Sequence, residues 1–209
     1  MEGQEYLNQI SATSKPMAVK KEGLFSSKLF IWIMIALAAL VFIVIVGSII
    51  GSGKGGEKDL GYALRLHLTN TGSAINTYQE NIKSSELRSN SASLYSVLSN
   101  TNRELSNYLS AKYKIKDSDI DKKIVAEATT AFNTLSTELF QAKINGILDR
   151  VFAHKMAYEI TLLLSEEKKL IEASKNEALD EALTTSYKSL ENLYPKFNEF
   201  SETKTIRKE

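Results

Sequence analysis

The chain has 209 residues, 26 basic and 25 acidic side chains, a formal charge of +1 and no cysteine. The even balance lacks the basic footprint that a nucleic-acid partner requires, and the missing thiols exclude disulfides, thiolate metal sites and a cysteine nucleophile. The length suits one compact domain with a tail or an anchor, and only Pro16 and Pro195 interrupt a chain rich in Ala, Leu, Glu, Lys and Ser, so long helices are expected.

Residues 1–27 mix Gln, Ser, Thr, Lys and Glu without a sustained apolar period, which predicts a short disordered tail. Residues 28–50 then read as a single N-terminal transmembrane helix. No charge lies between Lys28 and Lys54, and "LFIWIMIALAALVFIVIVGSII", Leu29 to Ile50, is almost wholly apolar. At about 1.5 Å per residue such a helix is roughly 33 Å long and crosses a bilayer. A cleaved signal peptide carries a shorter apolar region with a small-residue cleavage site close behind, so an uncleaved signal anchor is the better reading. Lys15, Lys20, Lys21 and Lys28 precede the span while Lys54, Lys58 and Arg65 follow it. This bias places the N-terminus in the cytoplasm and the C-terminal part outside it, with the lipid bilayer as a partner through residues 29–50.

Residues 51–58 form a Gly-rich linker. Gly51, Gly53 and Gly56 spell G-x-G-x-x-G, and Gly53–Lys54 resembles part of a phosphate loop. A dinucleotide fingerprint needs a strand before it and a βαβ unit around it, whereas here a membrane-length helix precedes and helical sequence follows. A phosphate loop needs glycine six residues before its lysine and Ser or Thr after it, where this chain has Ser48 and Gly55. The glycines are expected to be a tether. Gly47 and Gly51 also make G-x-x-x-G, but further glycine beside them favours a helix end over a helix-pairing motif.

From residue 59 to 203 the apolar period is helical. A first helix is expected from Glu57 to about Ile82, with Leu60, Leu64, Leu68, Ile75, Tyr78 and Ile82. Ser84 or Ser85 caps a second, whose Leu87, Leu94, Leu98, Leu105 and Leu109 form one stripe. Asp117 or Ser118 is expected to cap a third, shorter helix holding Ile120, Ile124, Ala128, Phe132, Leu135 and Leu139, which Asn145–Gly146 ends. A fourth starts at Ile147, and a last one runs from about Glu177 to Ser201 before a charged tail, 204–209. Four long amphipathic helices with an extra one between the second and the next bury their stripes most simply as a bundle, because a coiled-coil rod would need one heptad phase carried through these breaks.

The segment "LDRVFAHKMAYEI", Leu148 to Ile160, resembles the central helix of the bacterial secreted ferritin-like domains of unknown function, whose pattern is roughly Phe-Asp-x-x-Tyr-x-x-x-Met-x-x-Asp-His. Leu148, Asp149, Phe152, Met156 and Glu159 fall on matching places, and Ile160 stands at the histidine. Glu86 to Leu105 is similar to the preceding long helix of that family, with Leu94 at its Met and Leu98 at its His. "LYPKFNEF" resembles its Leu-Pro-x-x-x-x-His close, with Pro195 kept and Phe200 at the His. The similarity covers about residues 60–203. It implies a ferritin-like four-helix bundle in which all three histidine positions are apolar, and no Glu-x-x-His of the kind that binds two metals occurs.

Little in the chain points to catalysis. His67 and His154 are the only histidines, neither has a carboxylate three or four residues on, and both are expected at the surface or its boundary. No G-x-S-x-G elbow is present, so a serine nucleophile would need a histidine brought by the fold. The charges of Ser165 to Ala182 read as solvated helix ends. Tyr62, Tyr78, Tyr95, Tyr158, Tyr187 and Tyr194 are expected to pack with their hydroxyls toward water rather than to line a groove. No catalytic, cofactor or metal residue is therefore assigned. The expectation is a non-enzymatic envelope protein, single-pass and anchored, whose extracytoplasmic bundle serves as an interaction or scaffold domain for a protein partner or itself. A ligand-sensing ectodomain acting through a membrane partner is the alternative.

Overall fold

A computed structural model of the chain describes residues 56–114 and 120–206. The expected tail, membrane span and most of the linker lie outside them. Among the described residues there is no strand, and no helix is long and apolar enough to cross a membrane. They form five helices: α1 (Glu57–Tyr78), α2 (Ser85–Tyr113), α3 (Lys122–Ile144), α4 (Leu148–Ala173) and α5 (Glu177–Ile206).

Three boundaries and the length of α3 differ from the sequence expectation. α1 stops at Tyr78, and a single 3-10 turn, Gln79–Asn81, carries the chain to Ile82, which is buried in extended conformation rather than helical. Ser84 does cap α2, its hydroxyl accepting from Leu87 N at 3.3 Å. The cap of α3 is Asp121, not Asp117 or Ser118: its carboxylate accepts from Lys123 N at 2.7 Å. α3 is not the shorter extra helix expected, having 23 residues against 22 in α1. α5 continues past Ser201 to Ile206, running through Pro195 on its exposed side.

Asn145–Gly146 ends α3 as expected. Gly146 adopts φ 70°, with its N–H on Lys143 O at 3.2 Å and Ile147 N–H on Ala142 O at 3.0 Å. This pair of bonds caps the last carbonyls and needs a left-handed residue, which glycine supplies without a Cβ penalty.

Specific contacts give the topology. Glu57 meets Lys112, and Gly61 lies against Leu109, so α1 and α2 are antiparallel. His67 meets Glu159 and Glu166, while Lys83, just past the far end of α1, meets Asp149, so α1 and α4 are antiparallel as well. α4 and α5 turn back on each other, and α2 packs against α5. These four helices close a ring in the order α1, α2, α5, α4. α3 lies outside it on α1 and α4, running parallel to α1: Asn70 Nδ2 donates to Ala128 O and Tyr78 OH to Ser136 O, eight residues further along both helices. α3 thus returns the chain from the end of α2 to the start of α4, making the ring an up-down-down-up bundle with a helical crossover.

The core is built from the stripes read in the sequence. Leu87, Leu94, Leu98, Leu105 and Leu109 are each at most 1% exposed, and they meet Leu64, Leu68, Ile75, Phe152, Ile160, Leu163, Leu183, Leu190 and Phe197. Each such side chain contributes about 1.5–3 kcal/mol by leaving water.

Candidate functional site

A polar layer crosses this apolar interior, drawing residues from all four ring helices. Its centre is His67 on α1. Glu159 and Glu166 lie seven residues apart on α4, hence on one face and about 10 Å apart along the axis. The imidazole fits between them, with Nε2 at 2.6 Å from Glu159 Oε2 and Nδ1 at 2.9 Å from Glu166 Oε2. A carboxylate offers only acceptors, so the ring satisfies both at once only as an imidazolium with two N–H donors. Burial by itself pushes the His67 pKa down, but the charge of Glu166 and the hydrogen bonds to both carboxylates outweigh it and hold the pKa well above the ordinary histidine value. The His67 side chain is 17% exposed, and those of Glu159 and Glu166 are 11% and 24% exposed.

Glu167, the next residue, is turned about 100° round α4, toward α5 and α2. It is 0% exposed. Ser186 on α5 donates to its Oε1 at 2.6 Å, and the Thr101 hydroxyl on α2 lies 2.8 Å from Ser186 Oγ. Burial, with a smaller push from Glu166, raises its pKa to about 8, against a lowering by the Ser186 bond. Its Oε2 is buried without a hydrogen-bond partner among the described residues. A neutral acid tolerates that position far better than a carboxylate does.

These positions refine one expectation and correct another. His67 does lie at the boundary, but it is not without partners: its carboxylates come from 92 and 99 residues away, where no local spacing reveals them. The segment Ser165–Ala182 is not wholly solvated, because Glu166 and Glu167 both turn into the bundle. His154 is exposed, as expected. The serine beside a buried acid, Ser186, is held by Glu167 and Thr101, while His67 is engaged by the other two carboxylates. Leu98 and Ile160, two of the three apolar residues at histidine positions of the resemblance, are at most 1% exposed, and Phe200 packs half-buried against the core. The two acidic residues that the resemblance retains are both used. Glu159 holds His67, and Asp149 accepts from Lys83 N and Ser84 N, each at 2.9 Å, fixing the start of α2.

The tyrosines form no common groove. Tyr62 and Tyr78 are buried, the latter with its hydroxyl on Ser136 O rather than in water, while Tyr95 and Tyr194 are 40% and 37% exposed. A second polar cluster sits at the end where α1 begins. Lys112 Nζ contacts Glu57 at 2.7 and 2.8 Å and Tyr108 OH at 2.7 Å, and stands 5.2 and 5.4 Å from the Tyr108 and Tyr113 ring centres. The hydrogen bond to Glu57 is the main reason that the Lys112 pKa is raised. Beside it is a shallow depression of about 340 Å³ lined by Tyr108, Ala111, Lys112, Lys175 and Asn176. Among the described residues no group of three or more His, Asp or Glu is arranged to hold a metal ion.

The chain matches no protein-family profile, and no curated protein or solved structure is similar to it at a significant level.

Proposed function

We propose that this chain is a single-pass, N-in membrane protein whose ferritin-like bundle stands outside the cytoplasm as a non-enzymatic scaffold, holding a protein partner near the bilayer. The observation that carries the reading is the closed His67–Glu159–Glu166 cluster of the polar layer. His67, the one histidine inside the bundle, has both ring nitrogens on carboxylates of the same chain, so it offers neither a lone pair to a metal nor a base to a substrate. The layer therefore serves as an internal tie between helices. The ferritin-like assignment is supported by the up-down-down-up ring with one crossover, the connectivity of ferritin-like bundles, and by Asp149 and Glu159 at retained positions of the resemblance. The anchor is supported by the apolar run from Leu29 to Ile50, which ends a few residues before α1.

Crosslinking in intact cells followed by mass spectrometry tests the scaffold role. The reading predicts crosslinks from exposed lysines of the bundle to one recurring partner or to a second copy. Metal analysis of the purified chain supplies the contrary outcome, since stoichiometric iron, manganese or zinc that is lost in His67→Ala would make the polar layer a metal centre and overturn the reading.

A further inference from the structure

Three polar contacts run in series through the core where α2, α5 and α4 meet. The Thr101 hydroxyl lies 2.9 Å from Val97 O, one turn back on α2, and 2.8 Å from Ser186 Oγ on α5, which in turn lies 2.6 Å from Glu167 Oε1 on α4. Each contact needs one proton to be a hydrogen bond, and each of the two hydroxyls carries one. Val97 O can only accept, so the Thr101 proton goes to it. The Ser186 proton then lies between Ser186 and Thr101, and the third has to come from Glu167. All three bonds therefore exist together only when Glu167 is a carboxylic acid that donates from Oε1. Once ionised, Glu167 offers only acceptors and draws the Ser186 proton to itself. Thr101 must then give up either Val97 O or Ser186.

We propose that Glu167, Ser186 and Thr101 form a proton latch, which holds α5 to α4 and α2 while Glu167 keeps its proton and lets α5 swing off the ring when the proton leaves. The latch belongs to the bundle alone and does not depend on the anchor. The surroundings of Glu167 do not compensate an ionised form. Its Oε2 is buried without a hydrogen-bond partner among the described residues, and the charge that acts on it, Glu166 of its own helix, repels a second carboxylate. α5 and α2 face it with the hydroxyls of Ser186 and Thr101, while the imidazolium that α1 brings to the layer, His67, is held by Glu159 and Glu166. α5 is also the helix freest to move. It comes last of the five, is joined to α4 through residues 174–176, and packs on α4 and α2, the two helices to which the latch ties it. Leu179, Leu183, Leu190, Leu193 and Phe197 are buried on it, so the released state is a minor one, reached by a partial opening below global unfolding.

Hydrogen exchange of the full chain in detergent, read by mass spectrometry at pH 6 and pH 9 as protection relative to the intrinsic rate, tests the latch. Peptides of α5 should be less protected than those of α1. Because burial raises Glu167 from 4.5 to about 8, α5 should lose about a hundredfold of protection between the two pH values. Glu167→Gln keeps a donor at this place, since its amide N–H can serve Ser186, and it cannot ionise. In that variant α5 should keep the same protection at both pH values, while α1 still loses some through His67, whose clamp opens only on global unfolding. Thr101→Val, which keeps the shape and removes the hydroxyl, should lower α5 protection roughly fivefold at pH 6 and leave it unchanged at pH 9, where the latch is already open. Equal protection of α5 and α1 in the native chain would show that the bundle opens as one unit and overturn the release. A pH-dependent loss in α5 that survives Glu167→Gln, or an equal effect of Thr101→Val at both pH values, overturns the latch.

Discussion

At the scale of single residues, the polar layer makes the bundle pH-sensitive in one direction. His67 has a folded pKa above its ordinary value, so its contribution is complete below about 6.5 and is lost as pH rises through the raised value. Glu167 is raised from 4.5 to about 8, so the folded state holds its proton more tightly than the unfolded state. Between those values each pH unit removes about 1.4 kcal/mol of stability from this residue. Both effects favour mildly acidic over alkaline conditions. Urea unfolding of the full chain in detergent should thus show a midpoint that falls from pH 5 to pH 9, and Glu167→Gln, which cannot ionise, should flatten most of the fall. Nuclear magnetic resonance should find the His67 ring protonated at neutral pH, and Glu166→Gln should bring its titration down. A normal titration of His67 in the native chain would contradict the clamp.

None of this was legible in the sequence. Glu166 and Glu167 lie in a run of charges, "SEEKK", that has the composition of a solvated helix end. Only the packing of α1 and of α5 on α4 decides that two of those charges point inward. Buried charges at long sequence separation leave no local period, whereas the leucines of α2 do, which is why that stripe was readable to the residue.

At the scale of elements, the breaks were more legible than the caps. Asn145–Gly146 was read correctly because left-handed backbone has a compositional signature, and Gly146→Ala should cost about 1 kcal/mol through the positive φ alone, since nothing stands within 4 Å of the added Cβ. The cap of α3 was misplaced by several residues because "DSDID" offers Asp117, Ser118, Asp119 and Asp121, all competent by type, and tertiary packing selects the last. The start of α2 is held twice, by Ser84 and from α4 by Asp149, so Asp149→Ala leaves two backbone N–H groups without their acceptor and should destabilise the chain by roughly 2 kcal/mol, more than Ser84→Ala at about 1 kcal/mol. Where Gly61 of α1 packs against Leu109 of α2, a Cβ on Gly61 would lie 2.8 Å from Leu109 Cδ2, and Gly61→Ala should cost about 1–3 kcal/mol as Leu109 leaves its fully buried rotamer. Thermal denaturation of the four variants would rank them.

At the scale of the whole molecule, the fold joins two layers of information. Period and composition specify five helices and their core faces, while the order in which the helices surround one another is set by contacts of high sequence separation such as His67 with Glu166 and Thr101 with Ser186. The same arrangement leaves α3 as an outer ridge and keeps the polar layer inside, which matches a domain that presents a surface rather than a cavity. The central claim is that this surface is displayed outside the cytoplasm by an uncleaved anchor. Labelling of single-cysteine variants in intact cells with a membrane-impermeant maleimide tests it directly, because the chain has no other thiol. Tyr194→Cys, on the exposed side of α5, should be labelled on full-length chain recovered with the membrane, and Ser11→Cys, ahead of the apolar run, should be labelled only after the cells are opened. Labelling of Ser11→Cys with protection of Tyr194→Cys, or labelled Tyr194→Cys on a chain that has lost its first 50 residues, would contradict the account.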